Sequence, residues 1–330
     1  MIKVGMIGLG GIGNHHMRAW AKVRGARIVA GADIAAKARS SFKKIYPEIE
    51  IFNDHETLLK KADVDAVMIC TPTLSHKQIA LNSMRSGRPV LTEKPMARSV
   101  ADCKAMLSCA EKTGLLLMVA HCRRFDKDWG KMAEIVSKGT LGRPVLWRSV
   151  SAGTGPGSWY MDEREGGGPF LDGAVHNYDF AHQVFGDPEC VVAAGIKLTP
   201  RSALDTATAV VQYRSKDQLM MNWSWGPRGG HTHDILGPRA TLLFGPGDMQ
   251  PQGEQGFAYY RVWPSGKDPK LIKFKYSGLD MYINEDQHFI HCLQGKAKCL
   301  TPGTESIKAV AVAEAILKAA QKGGSQKVRW

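Results

Sequence analysis

The chain has 330 residues, beyond the roughly 250–300 at which a single hydrophobic core stops growing, so two domains are expected. With 44% hydrophobic and 23% charged residues it has an ordinary globular composition, which excludes collagen, a disordered tail protein and a disulfide miniprotein. The formal net charge of +13 raises nucleic acid as a partner. However, Lys and Arg come as doublets (Lys43-Lys44, Lys60-Lys61, Arg123-Arg124) rather than runs of about five or more, so no nucleic-acid partner is expected and the charge is read as steering of small anions.

No window offers the roughly 18 uncharged apolar residues of a membrane span, so no membrane partner is expected. Met1-Ile2-Lys3-Val4 enters a folded pattern without a leader, and a cytoplasmic address follows as an expectation. The seven cysteines are scattered without C-x-x-C spacing, which indicates neither a disulfide framework nor a zinc site.

In chain order, the first 120 or so residues alternate short apolar strands with helical stretches. Strands are predicted over 3–7, 27–32, 66–70, 89–92 and 115–120, with a weaker one over 50–52. Helices are predicted over 12–23, 34–45, 55–61, 75–86 and 100–112. This is a doubly wound α/β pattern.

Between the first strand and the first helix stands Gly8-Leu9-Gly10-Gly11-Ile12-Gly13, a G-x-G-x-x-G turn. The first Gly permits the tight turn, the second lets backbone amides approach a pyrophosphate, and the third lets helix and strand pack closely. Unpaired N–H groups at the helix start then face the negative charge. Asp33 closes the second strand about 20 residues on, where a carboxylate accepts hydrogen bonds from the ribose hydroxyls. That favours NAD over NADP, since a 2′-phosphate would meet a like charge; Lys37 and Arg39 nearby temper the preference.

Thr92-Glu93-Lys94-Pro95 closes the fifth strand, at the carboxyl edge where ligands of such sheets bind. A cation there can polarise a carbonyl or help deprotonate a hydroxyl. A solvated lysine is the other reading of Lys94.

After about residue 123 the pattern changes to one helix over 126–137 and then Gly- and Pro-punctuated strands over 145–151, 190–198, 206–213, 218–225, 232–236 and 240–244. Consecutive strands without intervening helices predict a mostly antiparallel sheet, followed by helices over 281–294 and 305–320. Domains are expected at 1–122 and 123–330.

With these motifs together, the sequence resembles the Gfo/Idh/MocA oxidoreductases. The resemblance rests on G-x-G-x-x-G, Glu93-Lys94-Pro95 and Asp172-x-x-x-His176, with Cys70-Thr71-Pro72 and His76, His121 to Phe125, and Asp234 to Gly237 leading into Thr241 to Phe244. It implies a Rossmann domain, a C-terminal α+β domain with an open sheet that makes homo-oligomer contacts (a dimer or tetramer), and a nicotinamide cofactor in the cleft between them. It also implies a sugar or cyclitol as substrate. Thr71, Pro72, His76, Glu93 and Lys94 then join Gly8, Gly10, Gly11, Ile12, Gly13 and Asp33 as cofactor-binding residues. A cis Lys94-Pro95 bond is expected on the same ground.

Gly166-Gly167-Gly168 reads as a flexible loop running into a helix that carries Asp172 and His176 one turn apart, on one face. Oxidation of a carbinol needs a base and a cation for the developing alkoxide. His176 is the expected base, Lys94 the expected stabiliser of the oxygen and partner in the proton relay, and Asp172 the residue that orients the hydroxyl or Lys94. Arg123, Tyr160 and Asp179 are substrate-binding candidates, against plain surface or loop roles. No third ligand accompanies Asp172 and His176, so no metal is expected. Two other readings stay open: a glycosidase that oxidises a ring carbon transiently, eliminates the aglycone and re-reduces, and a dinucleotide sensor without catalysis.

Overall fold

A computed structural model describes residues 1–244 and 257–330. The chain opens with β1 (Ile2–Ile7), α1 (Gly11–Trp20), β2 (Ala26–Ala32), α2 (Ala36–Ile45), β3 (Glu50–Phe52), α3 (His55–Lys61), β4 (Ala66–Ile69), α4 (Thr73–Arg85), β5 (Val90–Glu93), α5 (Val100–Thr113) and β6 (Leu117–Ala120). Helix ends follow local chemistry. Asp54 and Ser99 cap α3 and α5 by accepting the N–H of Thr57 and Asp102, and Gly114 ends α5 in the left-handed region at φ 68°.

After a 3-10 turn at Cys122–Phe125 come α6 (Lys127–Ser137), β7 (Leu146–Ala152), α7 (Val175–Phe185), β8 (Pro188–Ile196), β9 (Thr206–Tyr213), β10 (Gln218–Ser224), β11 (His231–Leu236), β12 (Ala240–Phe244), β13 (Phe257–Pro264) and β14 (Lys270–Lys275). Helices α8 (Asp280–Leu293) and α9 (Gly303–Lys322) and a short β15 (Ser325–Lys327) complete it.

Two compact units result: residues 1–125 with 279–307, and residues 126–278 with 308–330. The first unit is discontinuous, unlike the simple division expected at 122/123. Its sheet is parallel throughout, in the order β3-β2-β1-β4-β5-β6. That is the doubly wound order whose reversal lies between β1 and β4. Strands β4, β5 and β6 are buried along their full length, as a sheet covered on both faces requires. Val4, Met6, Met68, Leu91 and Met118 form its core with Trp20, Phe42 and Phe289.

In the second unit the strand order is β14-β13-β12-β11-β7-β10-β9-β8-β15, antiparallel except for the β7–β10 pair. Strand β7 alternates: Trp147, Ser149 and Ser151 are buried while Arg148 and Val150 point out. The inward face packs Trp147 against Phe180 and Trp129 in edge-on contacts with centroids 4.8 to 5.9 Å apart. On the other face Val150, Val192 and Ile196 remain exposed. Strands β13, β14 and β15 were not expected: β14 is a lysine-studded edge strand and β15 has three residues, so neither carries a strong apolar pattern. Among the described residues no helix is long and apolar enough to cross a membrane.

Candidate active site

The glycine turn sits where the strand order reverses. Gly8 has φ +98°, and a Cβ on it would fall 2.5 Å from the carbonyl of Cys70, at the end of β4. A Cβ on Gly13 would fall 2.2 Å from the Gly8 oxygen, so helix and turn touch through backbone alone. Gly10 and Gly11 differ, because a Cβ on each would meet nothing within 4 Å. No side chain caps α1 and no acidic residue lies in its first turn. The Asn14 side-chain amide instead donates to the oxygens of Leu9 and Gly10 (2.8 Å each). Open space above Gly10 and Gly11 and uncapped amides through Ile12 fit a dinucleotide pyrophosphate.

Asp33 stands at the end of β2. It accepts the Leu9 N–H on Oδ2 and the Ala35 N–H on Oδ1, both at 2.8 Å, and so ties the glycine turn to the neighbouring strand. Arg39 donates to the backbone oxygens of Asp33 (2.8 Å) and Ile34 (2.9 Å), which places a guanidinium beside this corner.

Thr71 and Pro72 lead into α4; the Ser75 hydroxyl donates to Thr71 Oγ1 at 2.8 Å, and Pro72 is exposed. His76, buried, spans from the Thr71 oxygen to the Pro95 oxygen (2.9 Å each), so it joins two loops at the carboxyl edge. The Lys94-Pro95 bond is cis. Lys94 is half-buried, and its N–H donates to Glu93 Oε2 at 2.9 Å.

The other Glu93 oxygen lies 3.0 Å from His16 Nε2, and His16 Nδ1 lies 3.1 Å from Asp286 on α8. All three side chains are buried. Burial pushes the His16 imidazole down, but Asp286 and Glu93 outweigh it and hold it well above its ordinary value. Burial likewise pushes Glu93 up, and His16 and Lys94 hold it below the usual carboxylate range. Burial keeps Asp286 above that range. The sequence motifs do not single out His16. A buried carboxylate next to Lys94 was the available signal that a cationic partner was needed; Asp286, 270 positions away, gave none.

The second unit holds the remaining candidates except Arg123. Asp172 and His176 are not on one regular helix as expected. Asp172 lies in a π-helical turn, Pro169–Gly173, while His176 is the second residue of α7. Pro169 opens that turn, and Gly173 closes it where a Cβ would meet the Trp225 ring at 2.7 Å. Asp172 is buried and His176 half-buried. Nor does the triglycine segment hang free: the N–H groups of Gly166 and Gly168 donate to the oxygens of Trp159 (3.0 Å) and Tyr160 (2.9 Å). Tyr160 stacks on Trp159 with centroids 3.8 Å apart and meets Trp225 edge-on. Asp179 is buried, and with burial its charge pushes the Tyr213 phenol up. Arg123, in the first unit, reaches the Met281 sulfur at 3.9 Å.

A sequence profile described as an oxidoreductase family with an NAD-binding Rossmann fold matches residues 2–121, and the profile of the same family's C-terminal alpha/beta domain matches 133–329. The chain belongs to the Gfo/Idh/MocA oxidoreductase family. Within it, the chain is 29% identical to myo-inositol 2-dehydrogenase of Thermotoga maritima over 65% of this chain and 66% of that enzyme. It is 32% identical to the uncharacterized oxidoreductase YrbE of Bacillus subtilis over 83% and 85% of the two chains. The WlbA dehydrogenase of Bordetella pertussis, solved with NADH and UDP-GlcNAcA, shares the fold at a TM-score of 0.84 and 23% identity, over 100% of this chain and 99% of that one. As a Gfo/Idh/MocA member the chain is an NAD-binding oxidoreductase with the Rossmann domain and the mostly antiparallel second sheet that its motifs implied.

Proposed function

We propose that this oxidoreductase moves a hydride between the nicotinamide of NAD and a secondary hydroxyl, or the corresponding ketone, of a sugar or cyclitol. The observation that carries this reading is the pairing, on one carboxyl edge of one sheet, of an open glycine turn after β1 and a backbone-fixed lysine after β5. Kinship with a myo-inositol 2-dehydrogenase supports the substrate class.

Bound NAD supplies the hydride acceptor. His176 takes the carbinol proton, the Lys94 ammonium stabilises the oxygen and shares the proton, and Asp172 orients the hydroxyl or the amine. Tyr160 and Asp179 contact the ring and its hydroxyls, and Arg123 the substrate or the cofactor phosphates. Asp33 selects NAD over NADP by meeting the ribose hydroxyls. Seven cysteines without a disulfide suit a reducing cytoplasm, and the exposed Val150, Val192 and Ile196 face of the second sheet supports a homodimer or homotetramer.

Purified protein incubated with NAD and a panel of inositols, aldoses and deoxy sugars tests this by NADH absorbance. Build-up of NADH with at least one polyol is expected. Release of aglycone from glycosides with no net NADH would replace the reading with the glycosidase one, and NAD binding with neither activity would replace it with the sensor.

A further inference from the structure

The first unit holds a second group of chemistry-bearing side chains that the hydride reaction does not use. His288 and Cys292 stand one turn apart on α8, and Cys299 follows in the connection to α9. Their ligand atoms all lie within 4.8 Å of one another, and all three residues are half-buried. The Cys292 sulfur is 3.4 Å from His288 Nε2. The Thr301 N–H donates to the Cys299 sulfur, and the Cys299 thiol donates to the Cys292 sulfur. A backbone amide two residues on, aimed at the cysteine sulfur, is a hydrogen bond of the kind that holds thiolate ligands in place. A metal bound here would displace the protons of both thiols.

We propose that His288, Cys292 and Cys299 form a zinc site with a fourth position open to an exogenous ligand. The donor set decides the class of ion. Two sulfurs and an imidazole, with no carboxylate in the group, reject magnesium and calcium and suit a thiophilic ion of tetrahedral habit. Two thiolates and a neutral imidazole around Zn²⁺ sum to zero charge, which a half-buried position tolerates. Arg124, whose guanidinium donates to the Leu300 oxygen at 3.3 Å, adds a cation that favours the thiolates. The Leu300 N–H donates to His288 Nε2 at 3.1 Å, so that nitrogen is the unprotonated one; a metal there takes the lone pair and displaces the amide. Linear spacing hides the site, because His-x3-Cys-x6-Cys contains no C-x-x-C and unites only when α8 and its following turn fold. Because the Val119 N–H donates to the Thr301 oxygen at 3.0 Å, a bound ion would brace the segment that runs beside β6.

The test uses the full chain, reduced and stripped with chelator, and titrated with Co²⁺ as a spectroscopic stand-in for Zn²⁺. One equivalent should give thiolate-to-cobalt charge transfer in the near ultraviolet and the intense visible bands of a tetrahedral centre, and added Zn²⁺ should bleach both. Cys292→Ser and Cys299→Ser should each abolish the charge-transfer band, while Cys190→Ser, in the second unit, should retain it. A second measurement needs no variant: Zn²⁺ should slow alkylation of Cys292 and Cys299, read by peptide mass spectrometry, and leave Cys190 unaffected. Wild-type protein without a charge-transfer band, a band that survives both serine variants, or alkylation unchanged by Zn²⁺ would overturn the assignment.

Discussion

His16 Nε2 lies 3.0 Å from Glu93 Oε1 inside the first unit, and the second oxygen of Glu93 receives the Lys94 N–H. The helix that follows the glycine turn and the corner that carries the lysine are therefore joined through one imidazole, which Asp286 holds from the other side. Removing that imidazole leaves two buried carboxylates without the group that bridges them. Breaking a buried pair in this way costs about 3–5 kcal/mol. His16→Ala is expected to lose stability on that scale in urea unfolding and to lower kcat through a displaced Lys94. His16→Gln should recover part of both; full activity in His16→Ala would separate Lys94 from this network.

The same network sets a pH dependence with a definite sign. His16 is held above its ordinary value of 6.5, so its contribution is complete below that pH and is lost as pH rises through the higher folded value. Glu93, held low, contributes above its ordinary value of 4.5, and that share is lost as pH falls through its folded value. The Tm difference between wild type and His16→Gln should therefore be widest just below neutrality and narrow toward alkaline pH. A difference that grows with alkalinity would contradict the charged state of His16.

Two glycines of one turn should respond oppositely to alanine. At position 13 the new methyl meets the Gly8 carbonyl, and overpacking against backbone costs about 1–3 kcal/mol. At position 10 it meets open space, so Gly10→Ala should keep the wild-type Tm while weakening NAD binding in calorimetry. Unchanged NAD affinity in Gly10→Ala would move the pyrophosphate elsewhere.

Asp33→Ala removes the acceptor of the Leu9 and Ala35 amides together with the carboxylate for the ribose. Losing a charged hydrogen bond costs about 1.5–3 kcal/mol, roughly 10- to 100-fold in the NAD dissociation constant. NADP should gain relative to NAD, because Arg39 remains at the corner without its acidic neighbour. An unaltered NAD:NADP ratio would show that Asp33 braces the turn and selects nothing.

Lys94→Met and His176→Asn should each lower kcat by about 10²–10⁴, the usual worth of a positioned acid or base, and His176→Asn should leave NAD affinity unchanged. Turnover undiminished in either variant would end that residue's proposed role in the hydride step.

The parallel sheet was legible because its strands are short apolar runs between periodic helices, and the cofactor turn because three glycines at fixed spacing carry a geometric meaning that Asp33 completes. Local chemistry reached no further than local contacts. Asp172 and His176, four apart in sequence, are split between a π-helical turn, which Pro169 opens and Gly173 closes, and α7. The two partners of His16 come from two elements distant in sequence, β5 and α8, and nothing in the neighbourhood of Asp286 marks it as the third member of the network. Tyr160, a substrate-binding candidate from the sequence, stacks on Trp159 beside it.

Helix α8 belongs to the unit that begins the chain although more than 150 residues of another unit separate it from Phe125. A ribosome releases the amino-terminal segments long before residue 286, so during synthesis His16 waits, half-neutralised, for a carboxylate that has not yet been translated. The dinucleotide fold of this protein is accordingly completed only after the intervening unit has been made, and it is not one uninterrupted stretch of polypeptide.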